Sequence, residues 1–486
     1  MMQQSLFDQP VQPVKKIEKE LDFSKSVGEP MVEIGRLGLV EFCGKDKFAN
    51  FAEFIEYIKK LFNIYTFKTS GRISQIFSSN SKFTNASLVS KFSTDKEKKK
   101  ARLKFALELY GDLLTESKNG YCLSCGKKDN LCGVSKTIFP LTTGDSNANF
   151  TSNFSGQFLL CKECMTSLFF APTNMQKAAG RMAFLISNNE EINQFWAEEN
   201  LRIFNNNLVK NIDSLVDSDI KIFENFIYKI VEELQEEKLF GDITFYLISN
   251  VDKGSEINVI HIHENQMRFI NHVAPKFFKN SLPTKAIDEW NYLVFKYSSK
   301  DSSGKFRTRK GDVDGKTKTI KFNEEVIDNK DYKSIIKYFN PLISNFIQGK
   351  SILGFFKKNR CSLMLTKIYL EVIRQMREER LNVLKGVADK LQLLNNADDK
   401  EFVKKVVFPI EQTKSQSELR TKLRELMKKF LTKSNESLFT AEEMVFQILP
   451  SGESWYETKD ILLIALYEKL DFNGDLEEEI TEGDDD

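Results

Sequence analysis

The chain has 486 residues, a length that accommodates about three domains of ordinary size. Hydrophobic residues make up 41% of the sequence, which excludes a wholly disordered protein. No apolar run approaches the ~18–20 residues of a membrane span, and the polar N-terminal residues carry no apolar signal-peptide core. We therefore expect a cytoplasmic protein of mixed α+β class with several domains and no membrane contact.

The near balance of 70 Lys and Arg against 69 Asp and Glu hides an asymmetry. Residues 471–486 contain nine acidic residues and no basic one, which leaves 70 basic against 60 acidic residues in the rest of the chain. This excess is typical of proteins with a phosphate-bearing partner but does not require one. We expect residues 471–486 to form an acidic tail and residues 1–28 a flexible polar tail.

The sequence predicts a zinc module at residues 118–170. Its ligands would be two CxxC pairs, Cys122 with Cys125 and Cys161 with Cys164. Each pair places two thiolates on one tight turn, and two such turns facing each other complete a tetrahedral sulfur shell around Zn²⁺. Because all four positions are filled by protein ligands, we expect a structural ion. The remaining cysteines, 43, 132 and 361, are expected to be buried free thiols.

Two polar segments near these cysteines are candidates for reading nucleic acid. The stretch Thr142–Gln157 is rich in amides, and asparagine side chains can read base edges in the minor groove. The candidates there are Asn147, Asn149 and Asn153. The segment Thr66–Ser93, with Arg72, is the second candidate. An ordinary surface loop is the alternative interpretation of Thr142–Gln157.

The predicted elements alternate between helical and extended segments. Residues 50–62 have one apolar face and predict a helix, and a basic run from Lys96 opens a second helix that continues to about Leu114. We predict helices over Met175–Leu185 and Ile192–Leu234 and two strands within Phe240–Ile262. His261, His263 and Glu264, at the end of the second strand, are a candidate metal or catalytic group, with ordinary polar residues as the alternative.

A basic hairpin is predicted at residues 290–322, flanked by strands over Trp290–Tyr297 and Lys316–Phe322. Its central cluster is a candidate for contact with a nucleic-acid backbone: Lys305, Arg307, Arg309 and Lys310. The sequence from Gly311 to Thr317 is one residue short of a P-loop and carries aspartates where phosphate would bind, so it predicts a hairpin tip and no NTPase.

The C-terminal part, residues 336–470, predicts a helical bundle with apolar faces. Arg420, Arg424 and Lys428 repeat at i, i+4 and i+8 and form a basic ridge. A second basic series repeats at i+3: Arg374, Arg377 and Arg380. Solvated ridges without a partner are the alternative. Pro450, Ser451 and Gly452 should interrupt the bundle before a last helix over Thr458–Leu470.

The order of these segments resembles the large subunit of type I-B CRISPR Cascade, in the branch of that family named for its paired CXXC motifs. The resemblance rests on Cys122, Cys125, Cys161 and Cys164 and on the Thr-Ile-Phe-Pro stretch at 137–140 between them. It implies a large-subunit domain over residues 29–335 and a domain similar to the small subunit over residues 336–470.

The resemblance also implies a function without catalysis. Such a subunit contacts the 5′ handle of the crRNA, reads the protospacer-adjacent motif in target double-stranded DNA, contacts the displaced strand and recruits the helicase-nuclease. Its other partners would be the remaining Cascade subunits. Two further hypotheses stay open at this point: a zinc-containing nucleic-acid-processing enzyme that uses His261, His263 and Glu264, and an interaction protein that does not touch nucleic acid.

Overall fold

A computed structural model describes most of the chain between residues 20 and 470. The described ranges are 20–49, 51–67, 76–77, 81–134, 158–178, 180–209, 222–251, 254–273, 285–298, 311–314, 319–322, 325–327, 339–395 and 399–470. The architecture is mixed α+β with several domains, as the sequence predicts.

The chain divides into two compact units. The N-terminal unit comprises Met1–Phe223 and Gly241–Ile262, and the C-terminal unit comprises Glu224–Phe240 and His263–Asp486. The chain therefore crosses from one unit to the other more than once. This division groups residues 263–335 with the C-terminal helices, whereas the sequence analysis groups them with the N-terminal domain.

The N-terminal unit combines helices with small antiparallel sheets. Its helices are α1 (Pro30–Cys43), α2 (Phe51–Phe67), α3 (Asp95–Thr115), α4 (Lys162–Phe170) and α5 (Glu190–Val209). Its strands are β1 (Leu21–Asp22), β2 (Lys47–Phe48), β3 (Lys118–Tyr121), β4 (Lys128–Val134), β5 (Phe158–Leu160), β6 (Gln176–Ala178), β7 (Arg181–Ser187), β8 (Ile243–Val251) and β9 (Gly254–Ile262). They form three antiparallel sheets, β1–β2, β3–β4–β5 and β6–β7–β8–β9.

The core of the N-terminal unit is built largely from aromatic side chains around α4. The rings of Phe62 and Phe169 lie 5.2 Å apart in an edge-to-face arrangement, the geometry that aromatic quadrupoles favour. The Tyr65 hydroxyl donates a hydrogen bond of 2.6 Å to the Phe169 carbonyl, which satisfies the polar end of a buried ring. Helix α4 is thereby fixed against α2, and this matters because α4 begins at one of the predicted ligand cysteines.

Helices α1 and α4 approach each other unusually closely at Gly35. A Cβ atom at this position would lie 2.0 Å from the Ser167 carbonyl oxygen, so only glycine allows the contact. A buried salt bridge between Arg36 and Glu33 follows on the same helix, at 2.6 Å. The contact at Gly35 packs α1 against the second half of α4, whereas the salt bridge lies within α1.

The sheet β6–β9 corrects one expectation. The segment Met175–Leu185, predicted as a helix, forms strand β6 and most of strand β7. Residues Met182 to Leu185 are all buried, so both faces of the strand are covered and no alternating pattern marks it in the sequence. The two strands predicted within Phe240–Ile262 are confirmed as β8 and β9.

The C-terminal unit is predominantly helical. Its helices are α6 (Phe223–Glu236, from its second residue on), α7 (Glu264–Val273), α8 (Lys285–Ser298), α9 (Pro341–Ile347), α10 (Leu353–Lys358), α11 (Leu363–Val372), α12 (Glu378–Gln392), α13 (Asp399–Phe402), α14 (Phe408–Glu411), α15 (Gln416–Ser434), α16 (Ala441–Glu443) and α17 (Trp455–Tyr467). Two π-helical segments, Val403–Val407 and Met444–Ile448, follow α13 and α16. The predicted interruption at Pro450 lies between the second of these and α17.

Helix α8 overturns the strand predicted over Trp290–Tyr297. Its buried apolar residues follow helical spacing: Ala286, Ile287, Trp290, Leu293 and Val294. Aromatic and β-branched residues favour strands in isolation, but here they pack on other helices. The Trp290 indole donates a hydrogen bond of 3.0 Å to the Tyr228 hydroxyl on α6, and the Trp290 ring lies 5.1 Å from that of Phe269 on α7.

The chain forms a small antiparallel sheet after helix α8. Strands β10 (Gly311–Asp314), β11 (Thr319–Phe322) and β12 (Glu325–Ile327) form an antiparallel sheet. Gly311–Asp314, expected to belong to a hairpin tip, forms strand β10 instead. Asp314 pairs with Thr319 of β11, and residues 315–318 lie outside the described residues.

No helix in the described part of the chain combines the length and the apolar character that a membrane span requires.

Candidate metal centre and basic helix surface

The first cysteine pair lies on a tight turn between strands β3 and β4. The Cys122 N–H donates to the Lys127 carbonyl, and the Gly126 N–H donates to the Cys122 carbonyl, each at 2.9 Å. Gly126 has a φ angle of 72°, a left-handed conformation that glycine adopts without strain. This turn directs the side chains of Cys122 and Cys125 to the same side.

The second pair lies at the start of helix α4. Cys161 is the N-cap residue of α4, and its sulfur accepts the N–H of Cys164 at 3.4 Å. Strand β5 delivers Cys161 to this position, and the Leu123 N–H donates to the Leu159 carbonyl at 2.9 Å. The two cysteine turns are thus joined through the backbone next to the site.

The four sulfur atoms form one compact group. All lie within 4.8 Å of one another, and the sulfurs of Cys125 and Cys161 are 3.7 Å apart. A regular tetrahedron with metal–sulfur bonds of ~2.3 Å has sulfur–sulfur edges of about 3.8 Å. The arrangement therefore fits a zinc ion bound by four thiolates, and the predicted ligand set is brought together.

The four cysteines differ in burial and in the hydrogen bonds of their thiols. Cys122, Cys161 and Cys164 are buried, whereas Cys125 is exposed. Hydrogen bonds from the thiols of Cys161 and Cys164 lower the pKa of Cys122. Outside the sulfurs, Lys127 Nζ lies 3.7 Å from the Glu163 carboxylate and links the two cysteine turns a second time.

A cavity of about 420 Å³ borders the cluster on its exposed side. It is lined by Cys125, Cys161 and Cys164 together with Arg36 and Lys25, among others. Small molecules can therefore reach the sulfurs without unfolding of the unit, which determines how a metal ion would be loaded and removed.

The remaining cysteines stand apart from the cluster. Cys132 is fully buried on β4, its thiol donates to the Leu113 carbonyl at 2.8 Å, and burial raises its pKa to about 12. Cys361 is buried in the C-terminal unit. Cys43 is only partly buried, and desolvation raises its pKa to about 12. The expectation of a buried free thiol is confirmed for Cys132 and Cys361.

The His261, His263 and Glu264 group does not assemble a metal site. Among the described residues, the four cysteines are the only group of three or more His, Cys, Asp or Glu side chains close enough to share an ion. His261 Nδ1 forms a hydrogen bond of 3.0 Å with the Thr244 hydroxyl across the β8–β9 pair. Glu264 pairs with Arg268 one helical turn further along α7.

Most of the predicted nucleic-acid contacts lie outside the described residues. These are Arg72, Asn147, Asn149, Asn153, Lys305, Arg307, Arg309 and Lys310. They stay predictions from the sequence.

Helix α15 carries the predicted basic ridge. Arg420, Arg424 and Lys428 are exposed, and none of them forms an ion pair with another described residue. The opposite face is buried through Leu419, Leu423, Leu426 and Phe430. Ser415 caps the helix by accepting the Glu418 N–H at 3.2 Å. The helix therefore packs by one face and presents the ridge on the other.

Arg374, Arg377 and Arg380 do not form the second basic ridge that the sequence predicts. Arg374 follows the end of α11 and pairs with Glu457, while Arg380 is 5% exposed inside α12. The Arg380 guanidinium donates to the Gln447 carbonyl at 2.8 Å and to the Thr458 hydroxyl at 3.0 Å, and it also pairs with Glu453. The i+3 spacing was misleading because a turn between α11 and α12 separates the residues.

Sequence reasoning missed the exposed residues beside the first cysteine pair. Tyr121 is 68% exposed and Leu123 is 63% exposed, although both flank the buried Cys122. The alternation of Asn119 and Tyr121 around Gly120 was the available signal.

Comparison with known proteins assigns no relative. The chain matches no family model, no curated protein and no solved structure.

Proposed function

We propose that this protein is a non-catalytic nucleic-acid-binding subunit whose N-terminal unit is held together by a structural zinc ion. The thiolates of Cys122, Cys125, Cys161 and Cys164 would hold the ion. Since they occupy all four positions of a tetrahedral shell, no position is left for a reactive water, and the ion would supply stability and not catalysis.

The exposed ridge of helix α15 carries the nucleic-acid part of the proposal. Four residues of α-helix rise about 6 Å, so Arg420, Arg424 and Lys428 span about 12 Å along one face. Ser417, Thr421 and Thr432 are exposed beside them. Glu425 lies one helical turn before Lys428, but its carboxylate pairs with Lys422. Three unpaired cations with hydroxyl donors beside them suit a run of phosphates.

The neighbouring charges of α15 strengthen this interpretation. The acidic residues of the helix are Glu418 and Glu425, and the Glu425 carboxylate pairs with Lys422 at 2.8 Å and with none of the three ridge cations. Surface lysines elsewhere in the chain are commonly paired with a carboxylate one turn away, as Lys59 is with Glu56. The ridge therefore differs from an ordinary solvated helix surface, where both signs of charge alternate.

In finer terms, we propose the large subunit of a type I-B CRISPR surveillance complex. What supports this is the sequence resemblance, and the four cysteines that carry part of it come together in one cluster. The Thr-Ile-Phe-Pro stretch at 137–140, which carries the rest, lies outside the described residues. The subunit would bind the crRNA 5′ handle, read the protospacer-adjacent motif in target DNA and recruit the helicase-nuclease. The helical C-terminal unit, with its basic ridge, would lie along the displaced strand as the small-subunit fold does.

The salt dependence of oligonucleotide binding tests the ridge. The variant Arg420→Ala/Arg424→Ala/Lys428→Ala removes three cations, and each lost phosphate contact lowers the slope of log K against log salt by about 0.7 for a single strand or 0.9 for a duplex. We expect the slope to fall by about 2–3, with affinity reduced at low salt. Fluorescence anisotropy with a labelled single strand and a labelled duplex measures both.

A matched control removes the same charge elsewhere. The variant Lys59→Ala/Lys229→Ala/Lys367→Ala also loses three cations, but each of these lysines pairs with a glutamate on its own helix. It should keep the wild-type slope. Equal slopes in wild type, ridge variant and control, or no binding of either nucleic acid by wild type, would contradict the proposal.

A further inference from the structure

The outward face of the β3–β4 hairpin presents four exposed side chains in two cross-strand pairs. Asn119 lies directly opposite Asn130, and Tyr121 lies directly opposite Lys128. All four are exposed, whereas Gly120 and Asp129 between them point to the other face and are half-buried. The face therefore combines an aromatic ring, two amides and one ammonium group.

The hydrogen-bonding groups of this face are free within the described part of the chain. Neither the amides of Asn119 and Asn130 nor the Lys128 ammonium bonds to another described side chain, and Lys128 Nζ lies 6.0 Å from the centre of the Tyr121 ring. The amides can therefore donate to and accept from a ligand that reaches the face.

The carboxylates near this face point away from it or are paired with lysines. Asp129 points to the opposite side, where it pairs with Lys127 at 3.3 Å. Glu116, before β3, pairs with Lys118 at 2.8 Å and accepts the Gly133 N–H at 3.0 Å. The nearest carboxylates are thus neutralised by other partners, and the one unpaired charge on the face, that of Lys128, is positive.

The backbone that carries the aromatic ring is held by the cysteine cluster. Tyr121 is adjacent to Cys122, whose backbone is closed by the turn to Lys127 and whose side chain belongs to the cluster. Because the backbone is fixed, only the rotations of the side chain itself are lost when a flat partner stacks on the ring. Tyr121 ends strand β3 and is 68% exposed, so its ring is open to such a partner.

We propose that this face binds an unpaired base of single-stranded nucleic acid. The base would stack on Tyr121, the amides of Asn119 and Asn130 would bond to its edge, and Lys128 would contact the adjacent phosphate. Every base has a flat face, and aromatic stacking with a nearby cation is the common means of holding single strands. The inference rests on the proposed function and adds to it a place where a base, and not only the backbone, is held.

A protein partner fits this face less well. The centres of protein interfaces are depleted of lysine and fully desolvate their polar groups. Here amides and an ammonium surround a single ring, so a partner protein would have to satisfy four or more polar groups around one aromatic contact. A base supplies donors and acceptors in its own plane and meets that requirement directly.

Fluorescence of a 2-aminopurine base in a short single strand tests the proposal. The same sequence is used as RNA and as DNA, so that the two arms identify the source of the base. Wild type should quench the 2-aminopurine by stacking. Tyr121→Ala should abolish the quenching and weaken binding about 5- to 150-fold, the range for loss of one stacked base, while the salt slope stays unchanged. Tyr121→Phe should retain both the quenching and the affinity.

Controls separate this inference from the proposed function. Tyr456→Ala removes another exposed tyrosine, from the C-terminal unit, and should bind as wild type does. Zinc content and melting temperature establish that the Tyr121→Ala protein is folded, and Lys128→Glu supplies a second variant that should weaken binding without removing the ring.

The outcomes are distinct. If wild type binds with a ridge-dependent salt slope but Tyr121→Ala and Lys128→Glu bind both strands unchanged, the base site is overturned and the proposed function stands. If wild type binds neither strand, both are overturned. If Tyr121→Ala loses the quenching with just one of the two strands, RNA or DNA, the result supports the site and assigns it to that nucleic acid.

Discussion

The sulfur of Cys125 lies 3.7 Å from that of Cys161, although 36 residues separate them in the chain. This distance matches the edge expected of a tetrahedral zinc–sulfur shell, and it is reached because a glycine-closed turn and the N-terminus of helix α4 face each other. The contact ties the β3–β4 hairpin to the aromatic core through α4. The cysteine cluster and the fold of the N-terminal unit therefore depend on each other.

Loss of a cluster cysteine should unfold this part of the protein. We expect Cys122→Ser to lose the one zinc ion per chain and to lower the free energy of unfolding by more than about 4 kcal/mol, a size typical of a lost metal site. Metal analysis and denaturant unfolding measure the two effects. Cys43→Ala, outside the cluster, should keep the ion; equal zinc content in wild type and Cys122→Ser would refute the assignment.

A chelator should remove the ion from the folded protein. Cys125 is exposed and borders the 420 Å³ cavity, so a small chelator has access. We expect zinc release at a rate that rises with chelator concentration, followed by loss of structure in the N-terminal unit. A release rate that is independent of chelator concentration would instead mean that the unit must open first.

Asn291 should be replaceable with a gain in stability. Its amide is fully buried on α8, and neither its oxygen nor its nitrogen has a hydrogen-bond partner among the residues that the structure describes. An unsatisfied buried polar group costs about 1–3 kcal/mol, so Asn291→Leu should raise the free energy of unfolding by up to that amount. Denaturant unfolding of wild type and Asn291→Leu measures this change in free energy.

Asn340 is the matched control for Asn291. It is equally buried, but its amide nitrogen donates to the Val294 carbonyl at 2.9 Å and its oxygen accepts the N–H groups of Leu342 and Ile343. Asn340→Leu should therefore destabilise by about 1–3 kcal/mol. The same sign of change in both variants would show that partner bonds do not decide the effect.

Arg380 should be essential to the C-terminal unit. Its guanidinium connects α12 to the π-helical segment at Gln447 and to α17 at Thr458. Arg380→Met should lower the free energy of unfolding by about 2–4 kcal/mol, because charged hydrogen bonds to buried acceptors are lost. Arg420→Met, on the exposed ridge, should change it by no more than about 0.5 kcal/mol. Comparable losses in both variants would contradict the buried role of Arg380.

Glu29 should make stability depend on pH. Desolvation raises the pKa of its carboxyl, against the effect of the Val32 N–H that it accepts at 2.7 Å. Because the folded state binds this proton more tightly than the unfolded state, stability falls as pH rises through the two pKa values. Glu29→Gln keeps the hydrogen-bond acceptor and should gain stability relative to wild type at neutral pH but not in acid.

Glu97 should make stability depend on pH in the opposite direction. Hydrogen bonds from the Thr94 backbone and hydroxyl lower the pKa of its carboxyl. Its contribution is present above the unfolded pKa and is lost in acid, so Glu97→Gln should lose stability at neutral pH. Thermal melting of the variants across the acidic range measures both effects, and parallel pH profiles for Glu29→Gln and Glu97→Gln would contradict the assignment.

Local spacing was sufficient to predict the ligand cysteines and the long amphipathic helices. The CxxC turns need only residues a few positions apart, and α2, α3, α12 and α15 show their buried faces in the sequence. Ser415 and the Gln416–Ser434 helix illustrate this, since the cap, the apolar face and the basic ridge are all local patterns.

Patterns that depend on tertiary packing could not be predicted in this way. Trp290–Tyr297 reads as a strand because its residues favour strands, yet contacts with α6 and α7 make it a helix. Met182–Leu185 carries no alternation because both faces of β7 are covered. Arg380 looks like part of a basic surface, but its bonds reach residues 67 and 78 positions away along the chain.

Purification of the tagged chain together with the products of its neighbouring genes tests the central claim most directly. If the chain is a subunit of an RNA-guided complex, a small RNA of discrete length should co-purify with it and with other proteins. The ridge variant Arg420→Ala/Arg424→Ala/Lys428→Ala should still assemble but retain less target DNA. Recovery of the folded, zinc-loaded chain alone, with neither RNA nor protein partners, would contradict the account.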